Sequence, residues 1–185
     1  MTLTREPATH MPLSLEAHQA TTGSLRPDPK HVLSLLVENK PGVLTRIAGL
    51  FARRGFNIVT LSAAPTPDEQ LSRVTLTVDG ALHPIEQVTK QLHKLVNVVI
   101  IHDLDSKQAL SRELAIFKVA AVGRRRIELL QTTKIFRGTV IDARAGSVIV
   151  EVVGATDKIE AFEEMVRPFR LIETTRTGQI AILRD

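Results

Sequence analysis

Residues 38–44 read E-N-K-P-G-V-L, with the apolar run V-L-S-L-L-V (32–37) in front and T-R-I-A-G-L-F-A-R-R-G (45–55) behind. Pro41-Gly42 predicts a type II turn: proline presets the first central angle and glycine supplies the positive φ of the second. The apolar run reads as a short buried strand, and Val43, Ile47, Leu50 and Phe51 recur at helical spacing. Gly55 after Arg53-Arg54 is the signature of a helix C-terminus. Strand, turn and helix therefore follow one another without a loop. The backbone N–H groups of Gly42, Val43 and Leu44 are then unsatisfied donors at a helix N-terminus, which carries roughly half a positive charge.

Such a terminus receives a carboxylate, and the missing side chain of Gly42 lets a ligand approach the backbone. Asn39 can donate and accept hydrogen bonds. Asn57 would return to the same elbow if the second strand pairs beside the first. A carboxylate trap beside an amide able to hold an ammonium group is the chemistry for a free α-amino acid. Val43, Leu44 and Ile58 would supply an apolar wall.

Outward from the elbow, Asn57–Ala63 predicts a second strand, A-P-T-P-D-E-Q a turn, and Leu71–Val78 a third strand. Pro84 opens a helix with Ile85, Val88, Leu92 and Leu95 on one side, and Val96–Ile101 closes the unit as a fourth strand. From Ser106 the pattern restarts. Glu113–Val122 reads as a strand, and Arg125–Thr132 as a helix with Ile127 and Leu130 inward. Thr139–Ala143 and Ser147–Val153 form a hairpin around R-A-G. A helix from Asp157, with Glu160 at capping-box spacing, buries Ile159, Phe162 and Val166 and stops before Pro168. Leu171–Thr175 and Gln179–Leu183 complete it as a split final strand. The expected fold is α+β, two ferredoxin-like βαββαβ units in tandem over 30–105 and 106–185. Residues 1–29, with four prolines and no periodicity, are expected to be a flexible arm.

Composition excludes much. The chain has 185 residues, is 43% hydrophobic and 24% charged, and contains no Cys, Trp or Tyr. Disulfides, thiolate sites and cysteine nucleophiles are ruled out, and six Phe make a poor stacking platform for nucleic acid. The net charge of +4 is dispersed apart from Arg124-Arg125-Arg126, which reads as a solvated helix start or a partner contact, so nucleic acid is not expected. Hydrocarbon runs such as Val98–Ile101 are far too short for a membrane span of roughly 20 residues. Ten glycines, never closer than six residues, leave neither a dinucleotide fingerprint nor a P-loop. No two histidines stand at i, i+4, and His93 reads as a surface helix residue. No catalytic residue and no metal site is assigned.

The βαββαβ order with glycine at its first strand–helix turn resembles the ACT domain, which binds amino acids in allosteric proteins. More closely, the chain resembles the regulatory (small) subunit of acetohydroxyacid synthase, also called acetolactate synthase. The segments that carry this are E-N-K-P-G-V-L, L-F-A-R-R-G-F-N-I, A-P-T, L-S-R and K-Q-L-H-K-L-V, then R-E-L-A-I-F-K-V, K-I-F-R-G-T-V-I-D and A-F-E-E-M-V-R-P-F. The segments follow in order, and the resemblance covers about 31–185, both units.

The resemblance implies a cytoplasmic, non-catalytic subunit in branched-chain amino acid biosynthesis. It would activate a catalytic large subunit that carries thiamine diphosphate, magnesium and FAD, with no cofactor on this chain. It would also confer feedback inhibition by valine, leucine or isoleucine. ACT domains of the family pair side by side as a homodimer with the effector at the interface. Carried over, Asn39, Gly42, Val43 and Leu44 would come from one chain and Asn57 and Ile58 from its neighbour. The runner-up is a stand-alone ACT regulator of another enzyme or of transcription. Val59 departs from the Glu of many relatives. The family's second domain resembles a nickel-binding repressor domain, but no His or Cys follows His102, so nickel is not expected.

Overall fold

The computed structural model describes residues 30–79, 84–104 and 109–184; the arm expected over 1–29 lies outside them. The first unit runs β1 (Lys30–Glu38), α1 (Val43–Arg54), β2 (Ile58–Pro65), β3 (Leu71–Asp79), α2 (Ile85–Leu92) and β4 (Val98–Leu104). Its sheet has the order β2-β3-β1-β4, with antiparallel neighbours throughout. Alternation sends Leu33, Leu35 and Val37 of β1 and Val74, Leu76 and Val78 of β3 to one face. There they form one core with Val43, Ile47, Leu50 and Phe51 of α1 and Val88 and Leu92 of α2. The opposite face buries Ser34, Thr75 and Thr77, and the first and last of these are paired. The Arg73 Nη1 donates to Ser34 Oγ at 3.0 Å, and Thr60 Oγ1 to Thr77 Oγ1 at 2.9 Å.

The second unit repeats the order with β5 (Ala109–Ala120), α3 (Gly123–Ile135), β6 (Thr139–Ala143), β7 (Ser147–Gly154) and α4 (Thr156–Val166). It ends in β8 (Leu171–Arg176) and β9 (Ile180–Leu183). Its sheet is ordered β6-β7-β5-β8, and β9 continues the pairing further down β5. Residues 115–119 of β5 pair with β8 and residues 109–112 with β9, which is the split final strand expected from R-T-G. The β5–β9 ribbon reaches the first unit, where Ala109 and Ala181 pack with Leu104 and Val32. Two ferredoxin-like units thus stand in tandem.

Phe162 of α4 is fully buried, 5.0 Å from Phe117 and 5.3 Å from Phe136 in edge-to-face contacts. Phe162→Ala should cost about 3–5 kcal/mol through lost transfer energy and the cavity left behind. Urea unfolding reads this directly, and a loss below about 1 kcal/mol would deny the trio its place at the centre of this core.

Three expectations need correcting. The inward face of α3 is Leu129, Thr132 and Thr133, while Ile127 is 59% exposed and Leu130 also faces out. Both threonines can be buried because each hydroxyl donates to the carbonyl four residues back, Glu128 and Leu129 respectively. The Asp157–Glu160 capping box does not form. Helix α4 starts one residue earlier, Ala155 is its N-cap without a side-chain bond, and Asp157 accepts only the Lys158 N–H. Val96 lies outside β4 and is 86% exposed, because 92–98 closes as a turn; the strand extends instead through His102 and Asp103, paired with β1.

Candidate effector site

The elbow is the expected type II turn. Gly42 has φ +82° and ψ −5°, and the Val43 N–H donates to the Lys40 carbonyl at a long 3.4 Å. One of the three expected free donors is therefore engaged by the turn. The N–H groups of Gly42 and Leu44 have no acceptor among the described residues. A Cβ built on Gly42 would meet nothing within 4 Å, so the space in front of the helix N-terminus is open.

Asn39 is fixed beside it. Its N–H donates to the Gln70 carbonyl at 2.7 Å and its Nδ2 to the Glu69 carbonyl at 2.9 Å. Its Oδ1 is left facing no donor among the described residues and can accept from an ammonium group. The β2–β3 turn that anchors it is itself set by Asp68, whose carboxylate accepts the Gln70 N–H. Behind the elbow, Glu38 links Lys40 at 3.2 Å to Asn97, and Asn97 in turn accepts from Arg46 at 2.6 Å. The Asn97 amide, then Lys40, hold the Glu38 carboxyl below the ordinary carboxylate range. That charge is spoken for inside the protein.

In front lies a groove of about 260 Å³, bounded by Asn39, Lys40, Val43 and Leu44 on one side and Ala63 and Pro65 of β2 on the other. Its lining is mixed: Val43, Leu44, Ala63 and Pro65 are apolar, while Asn39 and Lys40 are polar. A groove of that volume and mixed lining has room for one small molecule.

Asn57 and Ile58 are not there. Strand β2 pairs with β3 and not with β1. Asn57 accepts from the Asp79 N–H, at the end of β3 opposite Lys30, whereas the elbow follows Glu38. Eight residue steps of about 3.3 Å put them roughly 26 Å from the elbow within one chain. The condition for their return to the same elbow fails. The structure brings Asn39, Gly42, Val43 and Leu44 together and leaves the other two at the far end of an edge strand.

Sequence reasoning missed the participation of Ala63, Ala64 and Pro65, which line the groove. The A-P-T segment was visible as a turn, but nothing in it signals that β2 ends beside the elbow. Arg124–Arg126 open α3: Arg124 meets Glu128 at 3.4 Å and Arg126 donates to the Arg144 carbonyl at 2.6 Å. Among the described residues no three His, Cys, Asp or Glu side chains come together as a metal-binding group, and no helix is long and apolar enough to cross a membrane.

An open, glycine-lined helix N-terminus on the first strand–helix turn of a βαββαβ unit defines the class: residues 33–100 match the ACT domain of the AHAS small-subunit type. Residues 112–185 match the family described as small subunit of acetolactate synthase. The chain belongs to the acetolactate synthase small-subunit family. It is 43% identical over 155 residues to a probable acetolactate synthase small subunit of Archaeoglobus fulgidus, covering 84% of this chain and 97% of the relative. The acetolactate synthase small subunit of Mycobacterium leprae is 44% identical over 156 residues, covering 84% and 92%. The crystal structure of the small subunit from Thermotoga maritima superposes with a TM-score of 0.77 at 39% identity, over 84% of this chain and 98% of that one.

Proposed function

We propose that this chain is the non-catalytic, regulatory partner of a thiamine-diphosphate-dependent catalytic large subunit, and that its elbow senses valine, leucine or isoleucine. The observation that carries the sensing role is the left-handed Gly42. It holds two free N–H donors at the N-terminus of α1 toward open space, beside a groove of mixed lining with room for one small molecule.

The site is completed by a second copy. Strand β2 is a sheet edge, and Val59, Leu61 and Ala63 are exposed along it. An edge strand invites pairing with another chain. Two copies of β2 can join antiparallel about a two-fold axis with all helices on one side only if same-face residues stand opposite. A centre at Leu61 or Ser62 satisfies this. Either centre lays Asn57 and Ile58 of the partner subunit alongside residues 63–66, at the mouth of the groove. The pairing thus reunites the two halves of the site that one chain keeps apart. In this arrangement the effector's carboxylate meets the Gly42 and Leu44 N–H groups. Its ammonium meets Asn39 and Asn57 of the partner subunit, and its side chain lies among Val43, Leu44 and Ile58 of the partner subunit.

Binding can change the catalytic partner only if the effector prefers one of two states of the assembly, and a coupling of about 1–3 kcal/mol is typical. Acetolactate formation by the cognate catalytic subunit, with and without this chain, tests the role. A rise on adding the chain and a fall on then adding one branched-chain amino acid, but not serine, is the expected result. No change on adding the chain would reject the regulatory assignment.

A further inference from the structure

The strand that carries Asn57 and Ile58 also touches the second unit two residues later. Ile58 lies opposite Val78 on the core face, and the next registered pair is Thr60 opposite Thr77, so Val59 is an extra, bulged residue. A bulge re-aims the residues that follow it. Without it Thr60 would share the face of Ile58; with it Thr60 faces away from the helices, donates to Thr77 at 2.9 Å, and meets Gly178. A Cβ on Gly178 would lie 2.7 Å from the Thr60 Cβ, and Gly178 has φ +73°. Both the close approach and the left-handed backbone demand glycine there.

Gly178 belongs to the short break between β8 and β9, and its neighbours are anchored. Arg176 makes a bidentate pair with Glu113 at 2.7 and 3.0 Å and reaches Glu163 of α4 at 3.6 Å. Glu113 is only 3% exposed, and it also accepts from Thr156 at 3.2 Å. The Gln179 amide donates to that same Thr156 hydroxyl. Thr177 exchanges bonds with the Leu114 backbone. A displacement at Gly178 is therefore not absorbed by a loose loop. It is handed to β5 and to the start of α4. A cleft of about 390 Å³ flanks the contact, with Val59, Thr60 and Thr77 on one wall and Glu113, Thr156 and Glu160 on the other, so the units have room to shift against each other.

We propose that the Thr60–Gly178 contact, backed by the Glu113–Arg176–Thr156–Gln179 network, is the coupling point through which effector occupancy at β2 reaches the C-terminal sheet. The proposal rests on the assignment of Asn57 and Ile58 to the effector site. An effector drawing on Asn57 and Ile58 loads the Val59 bulge, and the bulge passes that load to Thr60 and Gly178. A buried ion pair is weak evidence for stability. Beneath the break it ties Gly178 and its neighbours to β5 and α4, so the contact and the C-terminal sheet move as one body.

The test separates sensing from transmission, using the full chain with its catalytic subunit. Gly178→Ala should leave activation intact and leave calorimetric affinity for the branched-chain effector within about threefold. It should lower the extent of inhibition at saturating effector by about tenfold, within the usual range of coupling. Glu113→Gln, which keeps shape and spares the Gly178 backbone, should show the same separation and serves if Gly178→Ala fails to fold. Feedback retained in both variants, or binding lost together with inhibition, would overturn the coupling point. An unsubstituted chain that binds no branched-chain amino acid would instead sink the assigned effector site and this proposal with it.

Discussion

Gly42→Asp should abolish saturable binding of the branched-chain effector while leaving the chain folded. Aspartate tolerates the left-handed region better than most residues with a side chain, and a Cβ at this position meets nothing within 4 Å. Folding therefore survives at a strain of order 1 kcal/mol. The new carboxylate occupies the space in front of α1, takes the Gly42 and Leu44 N–H donors, and repels a second carboxylate. Hydrogen bonds to a charged group are worth about 1.5–3 kcal/mol each. Losing two of them corresponds to a drop of about a hundredfold or more in affinity, at 1.4 kcal/mol per decade. Isothermal titration against valine, leucine and isoleucine reads it. Unchanged affinity in a folded variant would remove the elbow from the site. Gly42→Ala provides the graded control, since it brings the strain without the charge.

The elbow was legible because every signal in it is local. Proline and glycine specify the turn, the apolar spacing of Val43, Ile47, Leu50 and Phe51 specifies the helix, and both are satisfied by residues within about fifteen positions. Strands β1 and β3 were equally plain, since one face of each is aliphatic. What escaped was decided at long range. Thr132 and Thr133 look polar in a sequence, yet with their hydroxyls returned to the helix they present methyl groups to the core beside Gly138, where a Cβ would be 3.1 Å from the Thr133 Cγ2. Ile127 and Leu130 lost that place to them. The expected capping box fails because α4 begins at Thr156, one residue before Asp157, and the Thr156 hydroxyl serves Glu113, 43 residues earlier. Glu113 itself stood inside a recognised segment with no sign that it would be buried against Arg176, which is 63 residues on. Pairing of β2 with β3, and so the distance between the two halves of the site, is likewise a property of topology.

That distance makes the oligomeric state the sharpest handle on function. Leu61→Lys should turn a dimer into a monomer at micromolar concentration and weaken effector binding by about tenfold or more, because a composite site loses half its contacts when the partner leaves. Leu61 is 38% exposed on the β2 edge, so a lysine there costs the protomer little. About the two-fold axis, however, each lysine meets its own copy or a close neighbour across the seam, and like charges opposed across paired strands are destabilising. Position 61 does not line the elbow groove, so any loss of binding has to come through the missing partner. Analytical ultracentrifugation and calorimetry on the same sample decide the matter. A monomer that still binds with unchanged affinity would mean that Asn39 to Leu44 form a complete site alone, and that Asn57 and Ile58 belong to something else. A variant that remains dimeric would place the two-fold contact away from β2. Loss of both together is the result that a site built across two chains requires.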